Sequence, residues 1–229
     1  MWLRGAAIRP VPGYAVVTAQ CLDRVERELA SDAPRSRDQI DSAFARFEST
    51  QPELAQAVSD VLSQSRDDTA LALGYFLSIA IWLAFDTTFG QKRLREASRE
   101  AIDATDAAID LEEELRAAHG GQPLDLDDIV SVAQPGVFAF VHRHVDSALT
   151  SSFRDGPDTC GGRRDAHACK ERAESDDASS EPEARQATSG TNADDIRAVY
   201  RVIVLLVLCL SHAVVPVEGA AHWNQELLA

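Results

Sequence analysis

The chain has 229 residues, of which 45% are hydrophobic, and a formal net charge of −15 at pH 7. This length suits one or two domains, and the hydrophobic fraction is sufficient for a folded core. The acidic excess would repel a phosphate backbone, and no basic patch with interleaved aromatic residues opposes it, which excludes nucleic acid as an expected partner. Lys92 and Lys170 are the only lysines, and this dominance of arginine, with abundant alanine, is typical of GC-rich prokaryotic genomes.

The first residues do not have the pattern of an export signal. Arginine, proline and glycine within residues 9–13 interrupt any apolar segment before it is long enough. We therefore expect residues 1–13 to be irregular and the protein to be cytoplasmic, where cysteines stay reduced. Cys21 and Cys209 lie among apolar residues and are expected to be small core residues.

The spacing of apolar residues predicts four helices in the first half of the chain. The first covers Tyr14 to Ala30, and Pro34 ends it. The next three begin at capping boxes or close relatives, in which a hydroxyl caps one backbone amide and a side chain three residues later reaches back. These boxes pair Ser36 with Gln39, Thr50 with Glu53, and Ser65 with Asp68.

Two segments are apolar on nearly every face: Ala70 to Phe85, which Asp86 is expected to close, and 194–216. A helix of this kind lies either in the centre of a bundle or in a membrane. We expect both segments to be too short or too interrupted by polar residues for a spanning helix, which normally needs ~20 apolar residues. We expect the two helices to bury each other, and membrane association is the alternative.

The segment 94–115 carries an unbroken heptad pattern of small apolar residues among arginine, aspartate and glutamate. Because most of these positions are alanine, a partner helix could approach closely. The pattern predicts either the rim of a bundle or a site for another helix. Its members are Leu94, Ala97, Ala101, Ala104, Ala108, Leu111 and Leu115.

The second half of the chain is predicted to be less regular. Aspartates at 125–128 open a short helix that ends near Ala133, and Pro135 begins a longer one. Small and polar residues dominate 151–193, which predicts a disordered acidic linker. The helix at 194–216 then completes the bundle, and 217–229 form a tail. The inner face of the helix after Pro135 is expected to contain Phe138, Val141, Val145 and Leu149.

The string His142-Arg143-His144-Val145-Asp146 resembles the HxHxD metal-binding string of the metallo-β-lactamase superfamily. The resemblance covers five residues and lacks the histidine that normally follows the aspartate. On a helix, His142 and Asp146 share a face while His144 points elsewhere. The sequence therefore favours an amphipathic helix here, with His142 at the edge of the core and Phe140 and His144 stacked outside.

Two further groups were considered as metal sites. Cys160 and Cys169, with His167 nearby, offer too few ligands at too wide a spacing for structural zinc. Glu100 and Asp103 form an ExxD step, similar to that with which all-α nucleotide pyrophosphatases hold magnesium. The paired glutamates that those enzymes carry on a preceding helix are not found here, so a solvated charged face is favoured.

The sequence thus predicts an all-α protein, with one bundle of six to eight helices over residues 14–150 completed by the helix at 194–216. No residue is assigned a catalytic, cofactor-binding or metal-binding role, and no cofactor is predicted. We expect a cytoplasmic interaction or regulatory protein that presents helical surfaces to a protein partner or to a second copy. The alternatives are a metal-dependent hydrolase of nucleotides or phosphate esters, using the acidic residues of 94–115, and a membrane-associated protein.

Overall fold

The computed structural model describes residues 7–29, 33–65, 67–118, 130, 133–154 and 193–217. Apart from one isolated bridge, the described residues form no strand, which confirms the all-α prediction. The seven named helices are α1 (Ala19–Leu29), α2 (Ala33–Thr50), α3 (Pro52–Leu62), α4 (Asp68–Arg93), α5 (Arg99–Ala118), α6 (Pro135–Arg154) and α7 (Ala193–Ala213).

The two most apolar helices, α4 and α7, form the centre of the fold and contact each other more extensively than any other pair. They run parallel. Ser65, just before α4, donates a hydrogen bond to Asp195 in the first turn of α7 (2.7 Å), and beyond the other ends an antiparallel bridge joins Leu94 to Val214. Every residue of α7 from Val202 to Ser211 is buried. The prediction that these helices bury each other is confirmed.

The remaining helices surround this pair. The helices α1, α2 and α6 pack against α4, α5 packs against α7, and α3 contacts both central helices. Buried apolar side chains from all seven helices and from the segment before α1 join in one continuous core. The structure is therefore a single bundle, in which the surrounding helices turn an apolar face inward and a charged face outward.

The central helix α4 is longer than predicted, whereas α7 was predicted to reach residue 216 and ends at Ala213. Asp86 does not close α4, because its carboxylate accepts a 2.6 Å hydrogen bond from Arg46 and the helix continues past it. Gly90 interrupts the helix with a φ of +65°, a value that glycine adopts without strain. Among the described residues, Asp68–Phe89 and Asp194–Ala213 are long and apolar enough to cross a membrane, so the length argument against spanning is wrong. More than half of each segment is buried inside the protein, as in the core helices of soluble bundles.

The predicted capping boxes do not mark the observed helix starts. Ser36 lies inside α2, and Thr50 ends it, donating its hydroxyl to the carbonyl of Arg46. Asp67 caps α4 by accepting a hydrogen bond from the Thr69 amide, while Ser65 bonds to α7 instead. The hydroxyls of Thr50 and Ser65 therefore have different partners from the ones that the local pattern implies.

The first helix begins at Ala19, five residues later than predicted, because the segment before it is held extended. Gln134, just before α6, is completely buried. Its side-chain oxygen accepts from the Val17 amide (2.9 Å), and its nitrogen donates to the Ala15 carbonyl (2.5 Å). Gly136 allows this approach, since a Cβ atom there would lie 2.8 Å from the Ala19 amide nitrogen. One glutamine thus satisfies two buried backbone groups.

A second glutamine does the same at the start of α3. Gln51 is 2% exposed; its side-chain nitrogen donates to the Arg95 carbonyl (2.9 Å), and its oxygen accepts from the Ala97 amide (2.8 Å). These bonds hold the segment between α4 and α5 extended. For this reason the helix predicted from Leu94 begins only at Arg99.

Several predictions fall outside the described residues. These are the linker beyond Arg154, the tail from 218, the metal candidates Cys160, His167 and Cys169, and, except for Val130 and Ala133, the short helix predicted from Asp125. The linker was predicted to begin at Ser151, but α6 continues to Arg154.

Replacing Gln134 by leucine should lower the free energy of unfolding by about 2 to 6 kcal/mol, because two buried backbone groups lose their partners at about 1 to 3 kcal/mol each. Chemical denaturation would measure the loss, and hydrogen exchange should locate it at the Val17 amide. Gln56→Leu is the matched control, since Gln56 is exposed and bonds to Asp60 on its own helix. Equal stability of the two variants would contradict the buried bonds at Gln134.

Candidate functional site

The acidic helix α5 turns a different face inward from the one its heptad pattern predicted. Ile102, Ile109 and Glu112 are buried, whereas Ala101 and Ala104 are exposed and Leu111 is 47% exposed. Leu94 and Ala97 are buried, but they precede the helix. The predicted pattern is therefore not a continuous buried seam. We call four of its exposed or partly exposed residues, Ala101, Ala104, Ala108 and Leu111, the alanine stripe.

The other flank of α5 contacts α7 through ion pairs. Arg201 of α7 reaches Asp106 (2.6 Å), Asp110 (2.7 Å) and Glu113 (3.6 Å), and Arg197 also pairs with Glu113. Burial disfavours the charged form of Arg201, but hydrogen bonds to Asp110 and Asp106 outweigh it, so the pKa of the guanidinium is raised. These ion pairs join α5 to the central helix.

The ExxD step does not bring its two carboxylates together with others. Asp103 pairs with Arg99 on its own helix (3.0 Å), and Glu100 is exposed. Among the described residues, no group of three or more histidine, cysteine, aspartate or glutamate side chains is placed to hold a metal ion. The carboxylates of α5 that face α7 meet guanidinium groups, which reduce the negative potential that a divalent cation needs.

Glu112 and Arg116 form a buried ion pair one turn apart on α5 (3.0 Å). Glu112 is completely buried and also accepts a hydrogen bond from the Ala7 amide (3.2 Å). The pair therefore attaches the first described residues of the chain to the end of α5. Neither residue was singled out from the sequence, and their burial is possible because the two charges are paired.

The HxHxD string lies in α6 and contributes to packing. The ring centroid of His142 lies 4.3 Å from that of Phe138 and 5.9 Å from that of Tyr200. The ring centroid of His144 lies 4.5 Å from that of Phe140. Phe140 is 3% exposed, so the expectation that Phe140 and His144 stack outside is wrong. The two rings do contact each other, but they lie on a face of α6 that packs against other helices.

Ion pairs of the same string connect α6 to α1. Arg143 pairs with Asp23 (3.4 Å) and Glu26, and the Nε2 atom of His144 lies 3.3 Å from Glu26. Burial lowers the pKa of His144; Glu26 opposes this effect and Arg143 adds to it. The string is thus used for helix contacts, at a place where no metal group was found among the described residues.

Sequence reasoning missed a cleft of about 320 Å³ between the end of α2 and α4. Arg46 lies at its side, 5.5 Å above the Trp82 ring and bonded to Asp86. The sequence did contain a signal for this cleft. Asp86 is a charged residue in an apolar helix, and such a residue requires a partner. The cleft is lined by Ser49, Thr50, Gln51, Trp82, Asp86, Gln91, Leu94 and Glu96.

Comparisons with known proteins assign no family. The chain matches no family model, and no curated protein or solved structure is significantly similar to it. Its function is therefore argued from its own surfaces.

Replacing Arg201 by methionine should lower the free energy of unfolding by about 2 kcal/mol, between the values for exposed and buried ion pairs. The loss should shrink in about 1 M salt, which screens the partly exposed carboxylates. Arg99→Met is the matched control; it should cost no more than about 0.5 kcal/mol, because Arg99 and its partners are exposed. Denaturation of both variants at low and high salt tests this, and equal losses would contradict it.

The lowered pKa of His144 predicts a loss of stability in mild acid. The unfolded chain binds a proton below about 6.5, before the folded chain does, so stability falls as pH drops through that value and levels off below the folded-state pKa. His144→Phe keeps an aromatic ring but removes this titration. Thermal melting between pH 7.5 and 5 should show a smaller decline for the variant, and an identical decline would refute the assignment.

Proposed function

We propose that this protein is a cytoplasmic interaction or regulatory protein that binds a helix of another protein on the outer surface of α5. The carrying observation is the alanine stripe, which ends at Leu111 with 47% of that side chain exposed. Four residues spaced three and four apart place a narrow apolar strip along one side of the helix. Small side chains there would let a second helix approach closely.

The charges beside the alanine stripe favour a basic partner. Glu100 lies one turn before Ala104, Glu114 lies about one turn after Leu111, and both glutamates are exposed. A second copy of this chain would bring the same negative charges against them, whereas an amphipathic helix with lysine or arginine beside its apolar face would be attracted. We therefore propose a basic helix as the partner, in preference to self-association.

The described residues give less support to the two alternative functions, although α4 and α7 are long enough to cross a membrane. A hydrolase would require converging carboxylates, but those of α5 pair with arginines of α7 or of α5 itself, apart from exposed ones such as Glu100. Membrane association would require exposed apolar helices, but α4 and α7 are mostly covered by other helices.

The proposal predicts that Leu111→Asp abolishes partner binding without lowering stability. Leu111 is half exposed, so its loss removes little core packing, while an aspartate would place a charge inside the proposed contact. Val217→Asp is the matched control, because Val217 is 56% exposed and lies far along the chain from α5. Affinity capture from cells that express the gene should retain a protein with wild type and Val217→Asp but not with Leu111→Asp.

The captured protein is then purified and its binding to each variant measured by calorimetry. Binding should weaken as salt rises, since the proposed contact is between opposite charges. Sedimentation velocity of the protein alone should give a monomer. Equal binding by all three proteins, or a dimer that Leu111→Asp dissociates, would refute the basic partner.

A further inference from the structure

We infer that the described chain contains two copies of one helical unit, each of which holds an extended segment of the other. The first unit comprises residues 15–93, with α1 to α4, and the second comprises residues 95–217, with α5 to α7. We call residues 15–17 and 95–97 the straps, since each precedes the first helix of its unit and is held by a glutamine of the other unit.

The two glutamines bind the straps in the same way. Each one accepts from the amide of the third strap residue and donates to the carbonyl of the first. Gln51 and Gln134 are both followed by a proline that begins a helix. The backbone amide of each also bonds to the carbonyl four residues earlier, on Phe47 (2.8 Å) and Val130 (2.7 Å), and both of those residues are buried.

The helices that follow keep the same register. A hydroxyl residue follows each strap, Thr18 and Ser98, and accepts a bond from the amide three residues later, at 3.3 Å in both units. Five pairs of buried residues then correspond at constant shifts along the chain, whereas Val25, Ala55 and Phe140 align with partly buried residues. The corresponding buried pairs are Leu22 and Ile102, Leu29 and Ile109, Leu54 and Val137, Val58 and Val141, and Leu62 and Val145.

The central helices correspond as well. Tyr75 of α4 donates its hydroxyl to Ser59 of α3 (3.2 Å), and in the second unit the Tyr200 ring of α7 contacts His142 of α6. Ser59 and His142 stand at the same distance along the chain from Gln51 and Gln134. Aligning the two tyrosines also aligns three further buried pairs, Gly74 with Val199, Leu77 with Val202 and Phe89 with Val214.

Three pairs of helix contacts exchange in the way that a two-fold rotation requires, whereas the contact of α3 with α4 has no backbone counterpart between the described residues of α6 and α7. The helix α1 contacts α6 as α5 contacts α3, α1 contacts α4 as α5 contacts α7, and α3 contacts α7 as α6 contacts α4. The pair α4 and α7 is its own counterpart, and its parallel course places the axis along it, as in an isologous dimer. The helix α2 has no counterpart among the described residues beyond Val130.

The same symmetry places the end of α7 beside the first strap. Gln134 bonds to Ser211 as well as to the strap, and His212 lies 3.3 Å from the carbonyl of Arg9. The end of α4 leads into the second strap through the chain itself. A covalent connection from the end of α7 to the first strap would therefore imitate one that the protein already has.

A circular permutant with every residue retained tests this inference. Residues 94–229 followed by residues 1–93 should melt cooperatively and keep the Val17 and Ala97 amides protected from hydrogen exchange. The matched control, residues 52–229 followed by 1–51, separates Gln51 from α3 and should lose protection at Ala97. A first permutant that loses protection at both amides, as an unfolded chain would, contradicts the inference.

Distances in the unpermuted full chain provide a second test. Spin labels at Arg24→Cys and Ala139→Cys span α1 and α6, and labels at Ala104→Cys and Gln56→Cys span α5 and α3. All four positions are exposed, and two-fold symmetry makes the two distances equal. The native cysteines are first replaced by alanine or serine. The cysteine-free protein must give the same melting curve as the wild type before the labels are introduced. Coinciding distance distributions support two equivalent units, and clearly different ones overturn them.

Discussion

The mutual burial of α4 and α7 is the constraint on which the rest of the structure depends. Both helices are apolar on most faces, so neither is stable with its whole surface in water. Each buried leucine, isoleucine or valine contributes about 1.5 to 3 kcal/mol, and α7 buries such a residue at nearly every position from Val202 to Leu210. The other helices need only one apolar face, because this pair supplies the centre against which they pack. The straps and their glutamines close the two edges where α1 and α5 begin.

The sequence was sufficient to predict the features that depend on local composition. The apolar runs identified α4 and α7 and their contact, and Pro135 marked the start of α6, because proline fixes the first turn of a helix. Features that depend on partners distant in the chain were not predictable. Nothing near Gln134 indicates that its amide bonds to residues 15 and 17, more than a hundred positions away. Hence the starts of α1 and α5 were predicted too early.

The same limit applies to the candidate site. The heptad pattern located the apolar side of α5 only in part, because Ile102 and Ile109 are larger than the alanines and take the buried position. Glu100 and Asp103 are exposed, as a solvated charged face requires, but the spacing of the acidic residues could not reveal that Arg201 would meet Asp106, Asp110 and Glu113. Residue types that suggest metal chemistry, such as the histidines of α6, here lie among aromatic rings and ion pairs.

The parallel course of α4 and α7 has a consequence for synthesis on the ribosome. Two parallel neighbours cannot be joined by a short turn, and about 100 residues separate the end of α4 from the start of α7. At about 5 to 20 residues per second, the apolar surface of α4 waits some 5 to 20 s for its partner. During that interval α1, α2 and α3 cover part of α4, but the side meant for α7 faces water or other nascent chains. Cells that make many copies of this protein at once would need a chaperone to occupy that side. Slower translation would lengthen the exposure of each chain.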